Sequence, residues 1–441
     1  MAGLHRYDDA PLKPFHARVA IAAVGGVFSD GFGLGVIGIA LSLAATDLQL
    51  TPVWFGLLGG ASLFGLFFGA LLTGPVADHC GRRPVFAYNM LLLCLFSAMP
   101  FLVDARWQLL LLRLIIGFLL GTDYVVSKAM LTEFTPRSFR GRIMSSLSVA
   151  WAAGYACAFV VGVLLSSSGP DAWRWMLLAA AIPCLLVLPL RLGLPESPLW
   201  LAQHGRYEEA ARIVRERVGA DVEPPPAIPA TPRTQGRWSE LLSPVWRRRT
   251  LVGCLFFVCQ VIPYFAMGTF VSRVLAALQV KEEHLGGVFY NVSLVVGAIL
   301  GIFIVDKISR RAFLIGGFAI AAAAMLILTV AESPPPILTI ALFALFACVL
   351  SASTNLVYVY LPELFTTDVR ATGIGLAIAA SRIGSAISTF LLPLVVAEFG
   401  VHAALGACVA VLAFGGVACY LWAPETRHAP LSAGIPWSHP S

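Results

Sequence analysis

"DHCGRR" at residues 78–83 returns as "DKISRR" at 306–311, an offset of 306 − 78 = 228. Each copy is acidic in front and doubly basic behind, and each lies between two long apolar runs. Alone, a six-residue match carries little. Two further pairs share its register. "EFTPRSFRG" (133–141) matches "ELFTTDVRA" (363–371) at 363 − 133 = 230, and "PES" (195–197) matches "PET" (424–426) at 424 − 195 = 229. Three pairs at one spacing imply that the chain is a duplication.

The sequence between the motifs says what is duplicated. Of 441 residues, 58% are hydrophobic and only 12% charged, about half the charge density of soluble domains. About twelve apolar runs follow one another, near 17–45, 53–77, 85–103, 107–132, 141–167, 173–192, 250–279, 284–305, 311–331, 336–362, 371–398 and 401–423. At ~20 residues each, they are long enough to cross a ~30 Å hydrocarbon core as helices. They are continuously apolar rather than alternating, which disfavours a barrel. "DHCGRR" follows run two and "DKISRR" follows run eight, so the repeating unit is six helices. The prediction is an all-α membrane protein of twelve transmembrane helices in two six-helix bundles, residues 1–194 and 250–441. Residues 195–249 link them. This linker holds "RYEEAARIVRERV" (206–218), with helical spacing and a charged face. It also holds "EPPPAIPATPRTQGRWSE" (223–240), which its prolines keep irregular.

Basic residues gather in the even-numbered connections: Arg82 and Arg83, Arg137, Arg140 and Arg142, Arg206 to Arg249, Lys307, Arg310 and Arg311, and Arg370. The odd connections hold only Arg106, Arg174 and Lys281. The positive-inside rule then puts both termini in the cytoplasm of, by expectation, a bacterial inner membrane. The first 16 residues are polar and of mixed charge, unlike a cleavable signal. These loops account for the net charge of +6 without nucleic acid. The nine cysteines lie mostly inside apolar runs without paired spacing and read as small core residues.

With the duplication and these motifs in hand, the chain resembles a major facilitator superfamily transporter over nearly its whole length. "GPVADHCGRR" (74–83) is similar to the signature between helices two and three of that superfamily. Arg113 with Gly117 and Gly121, Glu133 to Arg140, and "PESPLWL" (195–201) resemble its sugar-porter-like branch, which includes organic-ion and phosphate carriers. In the second copy Ser309 replaces the signature glycine, which predicts a poorer fit of that turn. The resemblance implies two bundles rocking about a central site, as expected for repeats related by an axis along the membrane normal. The repeated loops read as a conformational latch of the outward-facing state: Asp78, Arg82, Arg83, Glu133 and Arg140, with Asp306, Arg310, Arg311, Glu363 and Arg370. Asp78 would accept from a helix end, Arg82 and Arg83 would meet carboxylates or lipid phosphates, and Glu133 and Arg140 would bridge to the first loop.

Charges inside the spans carry the functional reading, because each needs a partner or a watery cavity. Asp30 lies ~20 Å from the cytoplasmic start of helix one and Arg113 ~9 Å from the outer start of helix four. Those depths coincide in a ~30 Å core. The resemblance implies such an Asp–Arg pair in proton-coupled members; the bland reading is a permanent ion pair between the two helices. Asp123 lies deeper, in "GTDYVVSKAMLTEF" (121–134), which resembles a stretch of proton-coupled phosphate and metabolite carriers. Pro of that stretch is Val125 here, and acidic residues of those carriers fall at Gly33 and near Gln260, which weighs against phosphate. Asp123, without an obvious fixed cation, is a second candidate for proton coupling and a cavity residue that touches substrate. Lys128 reads as a headgroup-snorkelling residue.

In the second half, "AASRIGSAIS" (379–388) puts Arg382 ~18 Å into helix eleven, near the midplane. The stretch resembles organic-anion carriers in which this arginine meets the substrate carboxylate, a task suited to its permanently charged fork. Gln260, Tyr264, Asn355 and Tyr358 complete the expected pocket, although tyrosines in membrane helices are more often packing. The expectation is a proton-coupled symporter of a small organic anion, working as a monomer among membrane lipids without cofactor or metal. Sugar or phosphate uptake and drug efflux are the rivals within transport. The eight histidines lie at termini or in loops and no nucleophile or metal-ligand spacing appears, so an enzyme is disfavoured. Neither terminal segment exceeds ~20 residues, which disfavours a sensor.

Overall fold

The structure, a computed structural model, describes residues 6–225, 241–280, 283–305, 307–331, 334–365 and 369–426. The first half holds α1 (Pro14–Gly35, resuming at Ile37–Asp47), α2 (Pro52–Cys80), α3 (Arg82–Ser97), α4 (Arg106–Phe134), α5 (Arg137–Leu165) and α6 (Ala172–Ala179 and Ala181–Leu192). The second holds α7 (Arg247–Thr269, with Val271–Ala277), α8 (Glu283–Val305), α9 (Arg310–Val330), α10 (Pro336–Leu364), α11 (Arg370–Phe399) and α12 (Val401–Trp422). Among the described residues, eleven of these are long and apolar enough to cross a bilayer. The third run, expected over 85–103, is the short one. Its helix ends at Ser97, and Pro100 opens a 3-10 turn, Pro100–Leu102, that finishes the crossing.

The outer surface explains why the fold needs lipid. Phe64, Phe68, Leu71, Leu72, Leu185, Leu186, Phe303 and Ile337 are among many large apolar side chains left exposed. No soluble monomer presents apolar area on that scale. The linker forms two short helices: Tyr207–Ile213, inside the stretch with helical spacing, and Pro198–Gln203, which that spacing did not indicate. The proline-rich residues 226–240 lie outside the described residues.

The two copies of the opening motif make their turns differently. Gly81 has φ +99°, open to glycine at no cost, and a Cβ there would strike the Glu196 carboxylate. Ser309, at the same place in the second copy, has φ −62° and its hydroxyl accepts from the Ala312 N–H at 3.1 Å. The expected poor fit is therefore corrected. The second copy uses a serine N-cap instead of a left-handed glycine.

Away from the charged loops, the halves touch closely. Gly56 and Gly60 of α2 lie against the main-chain carbonyls of Phe390 and Ala386 of α11; a Cβ on Gly60 would sit 2.8 Å from the latter. Gly38 of α1 meets the Thr269 carbonyl of α7 in the same way. Small residues allow this approach of helix backbones, a common device in membrane interiors. The molecule is thus shut at the end opposite the charged motifs.

Candidate functional site

Between the halves is a cavity of about 60 Å³, several waters' worth of space. First-half helices α1, α4 and α5 line it with Val27, Tyr124, Lys128, Ser148 and Trp151; α7, α10 and α11 add Gln260, Tyr264, Phe265, Thr354, Tyr358 and Arg382. Four of the five expected pocket residues of the second half are therefore here. Asn355 is not. It is buried behind the wall, donating to the carbonyls of Ala298 and Ala352 at 3.2 Å each and accepting from the Ser148 hydroxyl at 3.2 Å. Its side chain is spent on joining α5, α8 and α10.

Arg382 has no hydrogen bond or ion pair through its side chain among the described residues. Its guanidinium faces the rings of Tyr124 at 5.2 Å and Phe265 at 5.9 Å, while the residue is only 7% exposed. Lys128 is the second cation, and its position corrects the snorkelling expectation. Its ammonium sits 3.4 Å from the Tyr124 ring centroid and 4.8 Å from that of Tyr358. The ammonium lies over these two aromatic faces instead of turning outward, and cation–π attraction is strongest where water is scarce. Trp151 packs on Tyr264 and Phe265 at 6.0 and 5.8 Å, so flat rings cover much of the wall. Among the described residues no carboxylate lines the cavity.

Asp123 departs most from expectation. It is wholly buried and does not line the cavity. Arg191 of α6 grips both of its carboxylate oxygens, at 3.0 Å for one and in a closer contact for the other. Asn89 donates to it at 3.3 Å and Ser127 at 2.9 Å. Arg191 in turn donates to the carbonyls of Ala22 and Phe86 and stacks on the Phe86 ring at 3.9 Å. This network ties α1, α3, α4 and α6 at one point, and Gly26 of α1 leaves the room it needs. A paired carboxylate this enclosed is a structural tie. Its expected roles as a water-reached proton carrier and a substrate contact are both corrected.

Asp30 and Arg113 do not meet. Arg113 donates through one nitrogen to the Gly33 carbonyl at 3.0 Å; its Nε and other terminal nitrogen have no partner among the described residues. Neither carboxyl oxygen of Asp30 accepts a hydrogen bond, although the residue is 3% exposed. Beside Arg113 is a void of about 10 Å³, lined also by Ser29 and Ser97, the size of one water. The expected pair is open in this state, with both members buried. Among the described residues no cation pairs with Asp30.

At the charged end, the duplication reappears as chemistry. Arg82 pairs with Glu133 at 3.2 Å, and Arg310 with Glu363 at 3.5 Å. Glu196 accepts from the N–H groups of Arg82 and Arg83 at the start of α3; Glu425 does the same for Arg310 and Arg311 at the start of α9. The helix-end cap is therefore Glu196, not Asp78, which pairs with the Arg82 side chain at 2.6 Å. Arg140 does not bridge to the first loop; it binds Asp8 at 3.2 Å and the Thr135 carbonyl at 3.1 Å. Beside it, the Tyr7 hydroxyl donates to the Glu133 carbonyl at 3.0 Å, and burial, then the Glu133 carboxylate, raises its phenol above the ordinary range. Asp306 and the side chain of Arg370 lie outside the described residues. Among the described residues no ion pair joins the two halves, so in this state each cluster binds its own half.

Sequence reasoning missed Arg191, Glu196 and Glu425 and misplaced Lys128. For the two glutamates, the repeated "PES" and "PET" held the signal.

Comparison with known proteins supports the superfamily reading. The family model described as "Sugar (and other) transporter" matches residues 19–433. The "Inner membrane metabolite transport protein YgcS" of Escherichia coli (strain K12) is 40% identical over 97% of this chain and 96% of its own length. A "Benzoate transport protein" of Acinetobacter baylyi is 26% identical over 87% of this chain and 84% of its own. In structure, the chain matches the xylose transporter XylE of E. coli in a partially occluded inward-open conformation. The TM-score is 0.79 at 21% identity, covering 95% of this chain and 100% of the other. The chain belongs to the sugar (and other) transporter family of the major facilitator superfamily, and is a multi-pass membrane transporter, not an enzyme.

Proposed function

We propose that the chain is a proton-coupled symporter of a small organic anion, a carboxylate on a compact scaffold. The observation that carries this reading is the cavity's charge: among the described residues it is lined by two cations, Arg382 and Lys128, and no carboxylate. A buried cation without a partner is costly, and a bidentate carboxylate is the natural complement of a guanidinium. The aromatic walls suit a flat, apolar body, and one relative bears the name benzoate transport protein. A sugar is served less well. Gln260 already donates to Leu350 and Thr354, and Asn355 lies outside the cavity.

Asp30 is the proton carrier in this reading. Its buried carboxyl has neither oxygen satisfied, an arrangement costly when charged. In the alternate state it would meet water and Arg113, giving up the proton there. Asp123 serves this role less well, because Arg191 already grips its carboxylate. The units that rock are residues 1–194 and 250–441, linked by 195–249. Their charged clusters hold each unit together and re-pair across the gap when the far end opens. Both termini face the cytoplasm across a bacterial inner membrane. Labelling of Cys80, exposed at the charged end, by an impermeant thiol reagent from the outside of cells would overturn that orientation. The substrate reading is tested by uptake into proteoliposomes of radiolabelled monocarboxylates, aromatic acids, sugars and phosphate. Saturable uptake of carboxylates alone is expected, and saturable uptake of sugars alone removes the anion.

A further inference from the structure

We propose that the transported anion carries two acidic groups, one met by Arg382 and the other by Lys128; this rests on the organic-anion reading above. The two cations share one aromatic ring. Lys128 lies 3.4 Å and Arg382 5.2 Å from the Tyr124 centroid, so the charged centres are at most 3.4 + 5.2 = 8.6 Å apart. Neither has a carboxylate within ion-pair distance among the described residues, and none lines the cavity. Like charges this close, poorly screened, repel each other. A monocarboxylate neutralises one and leaves the other buried and uncompensated. A dicarboxylate on a short, rigid body neutralises both.

The placement of the pair adds a mechanical reason. Lys128 is on α4 of the first half and Arg382 on α11 of the second, and the Tyr124 ring adjoins both. A ligand held by Arg382 alone engages one half, whereas a dianion ties both halves around the cavity.

The test compares matched probes on the full-length protein in proteoliposomes: benzoate with isophthalate, and butyrate with glutarate. The dicarboxylate of each pair binds roughly tenfold or more tightly, as expected for one added charge-assisted contact. Lys128→Met brings the ratio of the two affinities towards one, and Lys128→Arg restores it. Gel filtration and thermal unfolding in detergent verify the fold of each variant, with Lys128→Gln used if the methionine variant aggregates. Monocarboxylate binding with no dicarboxylate preference, or a preference unmoved by Lys128→Met, overturns the dianion. Failure of all four probes to bind the wild type removes the organic-anion reading itself, and the dianion with it.

Discussion

Arg191 and Arg382 are both buried arginines in helices that cross the membrane, and they make opposite use of the same side chain. Arg191 is fully enclosed and spends its donors on Asp123, Ser127 and two carbonyls. Arg382 spends none of its side-chain donors and looks across the cavity at aromatic rings. A charge placed in low dielectric is tolerated when its partner is built in, or when its partner arrives. The first arrangement makes a scaffold. The second leaves a binding site.

The largest effect expected from breaking this contrast is on Arg191. Arg191→Ala strands Asp123 with only Asn89 and Ser127, and breaking a buried pair by removing one partner costs about 3–5 kcal/mol. That should appear as a large drop in unfolding temperature or loss of folded protein, with no ligand involved. Replacing both partners by leucine should recover much of the loss. If Arg191→Ala unfolds at the wild-type temperature, the network is not a scaffold.

Arg382→Ala should do the reverse. The unfolding temperature stays near wild type, because no side-chain hydrogen bond or ion pair is lost, while substrate affinity falls tens- to thousands-fold, the range for removing one charged partner (~2–5 kcal/mol). Arg382→Lys should weaken binding less, since a point charge cannot reproduce the fork. Affinity unchanged in Arg382→Ala would put the arginine on the same side of the comparison as Arg191.

Asp30 and Asp123 form the acidic counterpart of this contrast. Asp30→Asn mimics a permanently protonated carboxyl, so uptake driven by a pH gradient should vanish while substrate exchange, which needs no deprotonation, continues. Asp123→Asn should instead lower stability by leaving Arg191 half-paired. Accumulation against a gradient in Asp30→Asn would move proton coupling elsewhere.

The fold was legible because it is written in long-range regularities: apolar runs of membrane length, basic residues in alternate connections, and three motif pairs in one register. Arg382, Gln260, Tyr264 and Tyr358 stood out in the sequence because each is a polar side chain inside an otherwise apolar run. What could not be read was pairing. Asp123 and Arg191 are 68 residues apart on different helices, and no local spacing records which buried acid meets which buried base. Arg191 falls at the end of the sixth apolar run, four residues before "PES", and nothing at that position marks it as the partner of a buried acid. Lys128 was misread for a related reason. Its depth along α4 fitted snorkelling, and only the rings of Tyr124 and Tyr358 hold it inward. Arg113 reaches the carbonyl of Gly33, three residues past Asp30, yet the two side chains do not pair.

The smallest effects should come from the two turns of the duplicated motif. Gly81→Ser puts a side chain where φ is +99° and the Glu196 carboxylate stands in the way. A non-glycine residue in such a conformation costs about 1–3 kcal/mol, and displacing Glu196 also uncaps α3. Ser309→Gly loses only the hydroxyl that accepts from Ala312, and serine-to-glycine at an N-cap costs a few tenths of a kcal/mol. The reciprocal substitutions thus predict unequal losses from sequence positions that match in the repeat. Thermal unfolding of both variants measures the difference, and Gly81→Ser should be the less stable. Equal losses would mean that the two copies of the motif, despite their different backbones, are held by Glu196 and Glu425 alone.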